Sequence, residues 1–390
     1  MQLSLSLDKS IAWYITGMLI ITILTGIVNI PYITPVLIGI GGICYSFRLL
    51  SLRKDEIIDS VTMFLLFFIA VLSAAINYGG YGTAINCIYG ILIVSLCRRI
   101  MFTKVQVLCI LFFCFISYVY WMIQSPNAYD VFMDAQRWDS SYDGVMNSNG
   151  VGTLIFYTSA LFFSFSKMIN NKYLNYIAWF MLLGATWGIY NAKSRMVLFS
   201  AILFIFILLV FQIKSLKINK VSILRRLLFL GIACEIIFPF LYLFLYQIGF
   251  ASDYAFADTN EKGLYSGRQQ IWGLALDSID SFSDWLIGIG SYHDFFEGHD
   301  TLNMHNNFMN LLVVTGVTGV VIYYSYIVES LNKKIHNGLF SEFQYLMLLF
   351  FVCIIFNGIS EVSLFYMGFA PFVFIPFGMA LNSKMGKFDF

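Results

Sequence analysis

The sequence predicts an all-α polytopic membrane protein, and three observations support this fold class. Of the 390 residues, 59% are apolar and only 12% are charged, and the mean hydropathy is +0.78. A soluble domain carries about 25% charged and about 45–50% apolar residues. The apolar residues form long windows, which leave room for about 12 transmembrane helices at roughly 20 residues each. Together these observations exclude a soluble enzyme.

Glycine, proline, asparagine or charged residues separate the apolar windows, as expected for loops between membrane helices. We interpret the whole chain, residues 1–390, as a single integral membrane domain. The candidate transmembrane helices cover residues 11–28, 31–50, 60–77, 81–97, 105–123, 148–166, 173–190, 194–212, 227–248, 306–328, 344–359 and 364–382.

The distribution of lysine and arginine predicts that both termini lie in the cytoplasm. Only five of the 23 Lys and Arg residues fall in segments on the other side of the membrane, namely Arg137, Lys193, Arg195, Lys262 and Arg268. Cytoplasmic loops carry an excess of cations, so this asymmetry favours an N-in, C-in topology. The net charge of +1 gives no polybasic surface. We therefore expect membrane lipids, and no nucleic acid, as partners.

Two outer segments are longer than a helix hairpin needs. They cover residues 124–147 and residues 249–305, the second lying between predicted transmembrane helices 9 and 10, and both are rich in acidic residues. Long loops in a compact architecture usually carry function. We expect the segment 249–305 to form a large outer loop that carries part of an active site.

Two outer arginines are candidates for binding an anion. Arg195 stands at the start of an apolar window with no carboxylate within a turn, and it suits either an anionic ligand at the lipid interface or snorkelling to headgroups. Arg268 follows Ser266 and Gly267, where a short amphipathic helix can begin. The N–H groups of such a helix start, beside a guanidinium, favour phosphate binding. A solvated helix with Arg268 paired to Asp277 or to a neighbour is the alternative.

His305 is the candidate general base, because it lies where the outer loop enters the tenth window. A neutral imidazole accepts a proton, although a histidine at a helix mouth also serves as an ordinary hydrogen-bonding group. His293 and His299 precede it at intervals of six residues. This spacing puts them on no common helical face, so the sequence favours a metal-independent site. We also expect no cofactor.

The residues after His305 read His305-Asn306, nine residues, Gly316, two residues and Gly319. This pattern resembles the H-[NSQ]-x9-G-x-x-[GTV] signature of the O-antigen polymerase and O-antigen ligase superfamily. The stretches around Arg268, Gly288, Asn149 and Arg195 are similar to further landmarks of that family. The resemblance covers roughly residues 145–325 and implies the C-type glycosyltransferase membrane fold.

The resemblance implies a multi-pass protein of the bacterial inner membrane whose active site faces the periplasm. Its substrate would be an oligosaccharide linked to undecaprenyl diphosphate. Carried over by position, Arg195 and Arg268 would bind the diphosphate, His305 would be the general base and Asn149 would contribute to substrate binding. A regulator of polysaccharide chain length is a candidate partner on the same basis.

Five more polar and aromatic residues have open roles. Asn306 would orient either His305 or the acceptor, and Glu361 would hold the acceptor or one of the arginines. Trp272 and Tyr292 offer flat faces for sugar rings, although aromatic belts at membrane interfaces explain them equally well. An ionisable group within a membrane helix is costly, so we expect Glu235 to face the interior of the bundle.

Three functions remain open. The first is a polymerase that joins lipid-linked repeat units, and the second is a ligase that transfers the polysaccharide to lipid A core. The ligase pattern R-x-x-x-L requires leucine four residues after Arg195, where this chain has Phe199, and this favours the polymerase. The third, a polysaccharide flippase or other transporter, would require ionisable residues along a path through the membrane.

Overall fold

The computed structural model describes residues 2–25, 27, 33–49, 56–77, 82–129, 148–169, 171–213, 219–249, 268–290, 304–337, 340–361 and 369–384. Fourteen α-helices and no strand occur in these ranges. In chain order the helices are α1 (Gln2–Thr25), α2 (Ile33–Leu49), α3 (Ile57–Asn77), α4 (Gly82–Cys97), α5 (Lys104–Gln124), α6 (Ser148–Ser166), α7 (Lys172–Asn191), α8 (Arg195–Gln212), α9 (Lys220–Gln247), α10 (Arg268–Asp277), α11 (Phe282–Ile287), α12 (Asn307–Asn337), α13 (Glu342–Asn357) and α14 (Ala370–Ala380).

Each of the twelve predicted windows overlaps one of these helices, which confirms the all-helical prediction. Within the described ranges, five helices are long and apolar enough to cross a membrane: α1, α5, α8, α9 and α12. Five shorter apolar helices, α2, α3, α4, α13 and α14, accompany them. The protein is therefore a polytopic membrane protein, and the count of twelve crossings and the N-in, C-in topology stay predictions.

Helix ends differ from the apolar windows where charged turns continue a helix. Helix α9 begins at Lys220, seven residues before its window, because the Asn219 side chain accepts a hydrogen bond from the Ser222 N–H at 3.1 Å and caps the helix. Helix α12 continues past its window to Asn337 through Lys333 and Lys334. A prediction from hydropathy alone ends each helix at the first charged turn, whereas the backbone hydrogen bonds continue the helix through that turn.

Helix α13 lies at the centre of the bundle. Nearly all of its residues are buried, and it packs against α6, α8, α9 and α14. Its 16 residues span about 24 Å at 1.5 Å per residue. At its first turn, Gln344 donates to the Asn382 carbonyl at 2.6 Å, and Asn382 donates to the Cys97 carbonyl at 2.6 Å. The last turn of α13, at Asn357, therefore lies at the opposite end of the bundle from Cys97.

Buried ion pairs gather at the Cys97 end of the bundle, which the cation count predicts to be cytoplasmic. The Arg98 guanidinium donates two hydrogen bonds to Asp59, at 2.7 and 2.8 Å, and Arg99 pairs with Glu56. The Tyr326 hydroxyl donates to the same Asp59 at 2.9 Å. Charges that leave water are stable only when paired and hydrogen-bonded. This network joins α3, the α4–α5 connection and α12.

Candidate active site

Glu361 is the centre of a polar cluster at the other end of the bundle. It follows the central helix α13 by four residues, and its side chain is 14% exposed. One carboxylate oxygen, Oε1, accepts from Asn149 Nδ2 at 2.5 Å and from Arg268 Nη2 at 3.1 Å. The other, Oε2, lies 3.3 Å from His305 Nδ1. Three residues that the sequence singles out for substrate binding or catalysis therefore meet at one carboxylate.

Arg268 is the first residue of α10, as the predicted helix start at Ser266 or Gly267 leads one to expect. Its Nη2 donates to the Ser360 carbonyl at 2.9 Å as well as to Glu361. Its Nε is buried without a hydrogen-bond partner in the described part of the chain. The side chain is 16% exposed, so a buried guanidinium donor remains next to an accessible surface. This arrangement suits an anionic ligand.

His305 has a backbone conformation that needs support from its neighbours. Its φ is 47°, in the left-handed region that residues other than glycine rarely adopt, and its side chain is 24% exposed. Residues on both sides of it are held. The Met304 carbonyl accepts from the Trp272 indole N–H at 2.5 Å, and the Asn307 backbone N–H donates to the Gly358 carbonyl at 3.1 Å. The imidazole is thereby turned towards Glu361.

Asn306 is fully buried and caps helix α12. Its Oδ1 accepts from the Met309 N–H at 2.8 Å, while its Nδ2 donates to the Ile359 carbonyl at 2.9 Å and to the Glu235 carbonyl at 3.1 Å. All of these bonds go to protein groups. Between the two roles that the sequence left open, this placement favours orienting His305 over contact with the acceptor.

Trp272 is fully buried as well, and its ring packs against Tyr242 and Phe238 with centroid distances of 5.0 and 6.0 Å. Its indole N–H holds the Met304 carbonyl, one residue before His305. In this conformation protein atoms cover the ring faces, so the placement favours a supporting role over stacking on a sugar. Tyr292, the other aromatic residue predicted to contact sugar, lies outside the described residues.

Arg195 is exposed at the first residue of α8. The preceding residue, Ser194, packs directly against Gly152 of α6, where an added Cβ would lie 2.8 Å from the Ser194 Cβ. Gly152 is three residues from Asn149, which donates to Glu361. Arg195 therefore lies at the same end of the bundle as the Glu361 cluster.

Two glycines allow the loop after α11 to pack against a break in α12. Gly316 interrupts α12 with φ 63° and ψ −173°, and Gly288 has φ 76° and ψ 175°. A Cβ built on Gly316 would lie 2.5 Å from the backbone nitrogen of Gly288, and the Ile289 N–H donates to the Val313 carbonyl at 2.8 Å. Only glycine fits at these two positions. The loop after α11 thus docks into the break in α12.

No group of three or more His, Cys, Asp or Glu side chains is arranged to hold a metal ion within the described ranges. His293 and His299 lie outside them. Sequence reasoning gave Glu361 only a minor role, because nothing near it in the sequence indicates that residues 56 to 212 positions away converge on it. The available signal was a carboxylate at a predicted outer helix end.

Comparison with known protein families gives a match over the middle of the chain. Residues 179–324 match the family model described as O-Antigen ligase, and this range holds Arg195, Arg268 and His305, while Asn149 and Glu361 lie outside it. No curated protein matches the chain. The family match confirms that this chain resembles the O-antigen polymerase and O-antigen ligase superfamily, as its histidine signature indicates.

Proposed function

We propose that this protein is a surface-polysaccharide polymerase of the bacterial inner membrane. It joins oligosaccharide repeat units carried on undecaprenyl diphosphate, at the periplasmic face. The observation that carries the proposal is the convergence of Arg268, His305 and Asn149 on Glu361, at the end of the bundle opposite the buried ion pairs. The family match supports the same class of enzyme, a glycosyltransferase of polysaccharide assembly.

The arginines stabilise the leaving group. A lipid diphosphate departs as an anion, so the reaction needs no carboxylic acid of the kind that glycoside hydrolases use. The Nε of Arg268, which has no hydrogen-bond partner among the described residues, and the N-terminus of α10 provide donors for phosphate oxygens. Exposed Arg195 at the start of α8 adds a second cation. Contacts that strengthen as negative charge develops lower the barrier.

His305 removes the proton from the attacking hydroxyl. Its Nδ1 faces Glu361, so a proton on Nδ1 is held by the carboxylate, and Nε2 acts as the base. The acceptor oxygen attacks the anomeric carbon, the bond from that carbon to the diphosphate oxygen breaks, and the hydroxyl proton passes to His305. The configuration at the anomeric carbon inverts. Neither a metal ion nor a cofactor takes part in this mechanism.

Two observations rank the alternatives below the polymerase. A ligase that uses lipid A core shares the chemistry, but position 199 holds phenylalanine, whose ring packs against Phe356 with centroids 6.1 Å apart. A flippase needs ionisable groups along a path, whereas the carboxylate of Glu235 is buried and both of its oxygens accept protein hydrogen bonds. A regulator of chain length is the proposed protein partner.

The experiment incubates purified protein with a lipid-diphosphate-linked repeat unit and resolves the products by chain length on a gel. His305→Ala and Arg268→Ala are compared with two control variants, His336→Ala in the last turn of α12 and Arg225→Ala in α9. The proposal predicts a ladder with the wild type and both controls, and none with the two site variants.

The same assay separates the alternatives. Product that forms only after lipid A core is added identifies a ligase. No product with either acceptor, from protein whose fold is verified, contradicts a glycosyltransferase and favours transport.

A further inference from the structure

Glu235 is a buried carboxylate in the middle of α9, and its side chain has 0% exposure. Its Oε1 accepts from Asn307 Nδ2 at 2.7 Å, and its Oε2 accepts from the Tyr324 hydroxyl at 2.8 Å. Both of these donors are uncharged residues of α12. Ionisable residues inside membrane helices are costly and usually serve a function. The contacts of Glu235 with α12 indicate its function.

A proline frees the Glu235 carbonyl for a second link to the same helix. Within an α-helix the carbonyl of residue 235 would accept from the N–H of residue 239, but Pro239 has no N–H. The Asn306 side chain fills this place, donating its Nδ2 to the Glu235 carbonyl at 3.1 Å. Backbone and side chain of Glu235 thus hold the two residues that follow His305.

The same cluster reaches the segment before Glu361. A Cβ built on Gly358 would overlap both the Asn307 amide and the Glu235 carboxylate, so the pair lies directly on the backbone at Gly358. The Asn307 N–H donates to the Gly358 carbonyl at 3.1 Å. Glu361 follows three residues later. Glu235 therefore contacts the chain segments that carry His305 and Glu361.

We infer that Glu235 is a positioning residue that holds His305 against Glu361, through Asn306, Asn307 and the backbone at Gly358. This inference rests on the proposed function. Glu235 does not touch the substrate, because it has no exposed surface and both of its oxygens are bonded. Its effect is on the rate of the chemical step and not on binding of the lipid-linked donor.

Two tyrosines of α12 provide a matched test. Tyr324 and Tyr326 are both buried, and each donates its hydroxyl to a buried carboxylate, Glu235 at 2.8 Å and Asp59 at 2.9 Å. Tyr324→Phe and Tyr326→Phe remove the same kind of hydrogen bond from the same helix. Unfolding midpoints in detergent should fall by similar amounts, whereas only Tyr324→Phe should lower kcat, by about 2- to 10-fold, with the donor KM unchanged.

A second pair of variants tests Glu235 itself. Glu235→Gln keeps an acceptor for Asn307 and a polar partner for the Tyr324 hydroxyl, so it should retain most of the wild-type kcat and the wild-type pH profile. Glu235→Leu offers no hydrogen-bonding group to Asn307 or Tyr324 and should lose far more of the wild-type kcat. Should Glu235→Leu fail to fold, the comparison of kcat between Tyr324→Phe and Glu235→Gln still tests the inference.

Equal loss of kcat in Tyr324→Phe and Tyr326→Phe would overturn the inference. So would a folded Glu235→Gln variant with a shifted pH profile, because Glu235 would then be a titrating group of the reaction. Failure of the proposed function is a separate result, since the wild type itself would then make no product in the same assay.

Discussion

Replacing Gly316 by alanine should both destabilise the protein and stop the reaction. Gly316 interrupts α12 at φ 63° and ψ −173°, eleven residues after His305. An alanine there adds a methyl group 2.5 Å from the nitrogens of Gly288 and Ile287 and from the carbonyl carbon of Leu286. These are backbone atoms, which do not move aside as the end of a flexible side chain does.

The magnitude follows from two costs. A residue other than glycine in this backbone region costs about 1–3 kcal/mol. Forcing an extra methyl into a packed site costs about 1–3 kcal/mol more. The free energy of unfolding should therefore fall by about 2–6 kcal/mol. Any relaxation displaces the loop after α11 from the break in α12, at the start of the segment that leads to His305.

The assay is unfolding by titration with a denaturing detergent, followed by tryptophan fluorescence, together with the chain-length gel. Gly273→Ala is the matched control, because Gly273 lies within α10 and an added Cβ there meets no atom within 4 Å. Alanine is better than glycine inside a helix by roughly 0.5–1 kcal/mol, so this control should be at least as stable as the wild type and fully active. Equal stability and activity of Gly316→Ala and Gly273→Ala would refute the reasoning.

Three further changes have distinct expected outcomes. Glu361→Gln removes the charge that holds His305, and because a hydrogen bond to a charged group contributes about 1.5–3 kcal/mol, kcat should fall roughly 10- to 100-fold; a wild-type kcat contradicts this. Trp272→Phe loses the bond to the Met304 carbonyl and should lower both the unfolding midpoint and kcat, whereas an effect on the donor KM alone would indicate sugar contact. Asp59→Asn leaves Arg98 buried without its partner and should cost about 3–5 kcal/mol of stability in detergent titration, while kcat per folded molecule stays unchanged.

The sequence predicts the helices well, because apolar length is a local property. The short helix before the histidine segment was also predictable, since Ser266 and Gly267 mark a helix start and α10 begins at Arg268. The break in α12 at Gly316 was not predictable from the sequence, although Gly316 belongs to the histidine signature. Its conformation depends on Gly288, which is distant in sequence and adjacent in space.

The site was predictable in its members but not in its arrangement. The sequence marks Arg268 as an outer cation and His305 as a histidine at a helix start. In the structure both side chains contact Glu361. Their meeting point, Glu361, is separated from Asn149 by 212 positions, and no periodic pattern encodes a contact at that separation. The pairing of Pro239 with Asn306 is likewise a tertiary effect, in which one helix lacks a donor and another supplies it.

The most direct test of the proposed reaction measures release of undecaprenyl diphosphate from a lipid-linked donor, with and without an acceptor repeat unit. Wild-type protein and His305→Ala are compared at equal folded concentration, with donor binding measured in parallel. We predict acceptor-dependent release by the wild type, and loss of that release in His305→Ala while donor binding is kept. Release by His305→Ala at the wild-type rate would contradict the role assigned to the Glu361 cluster.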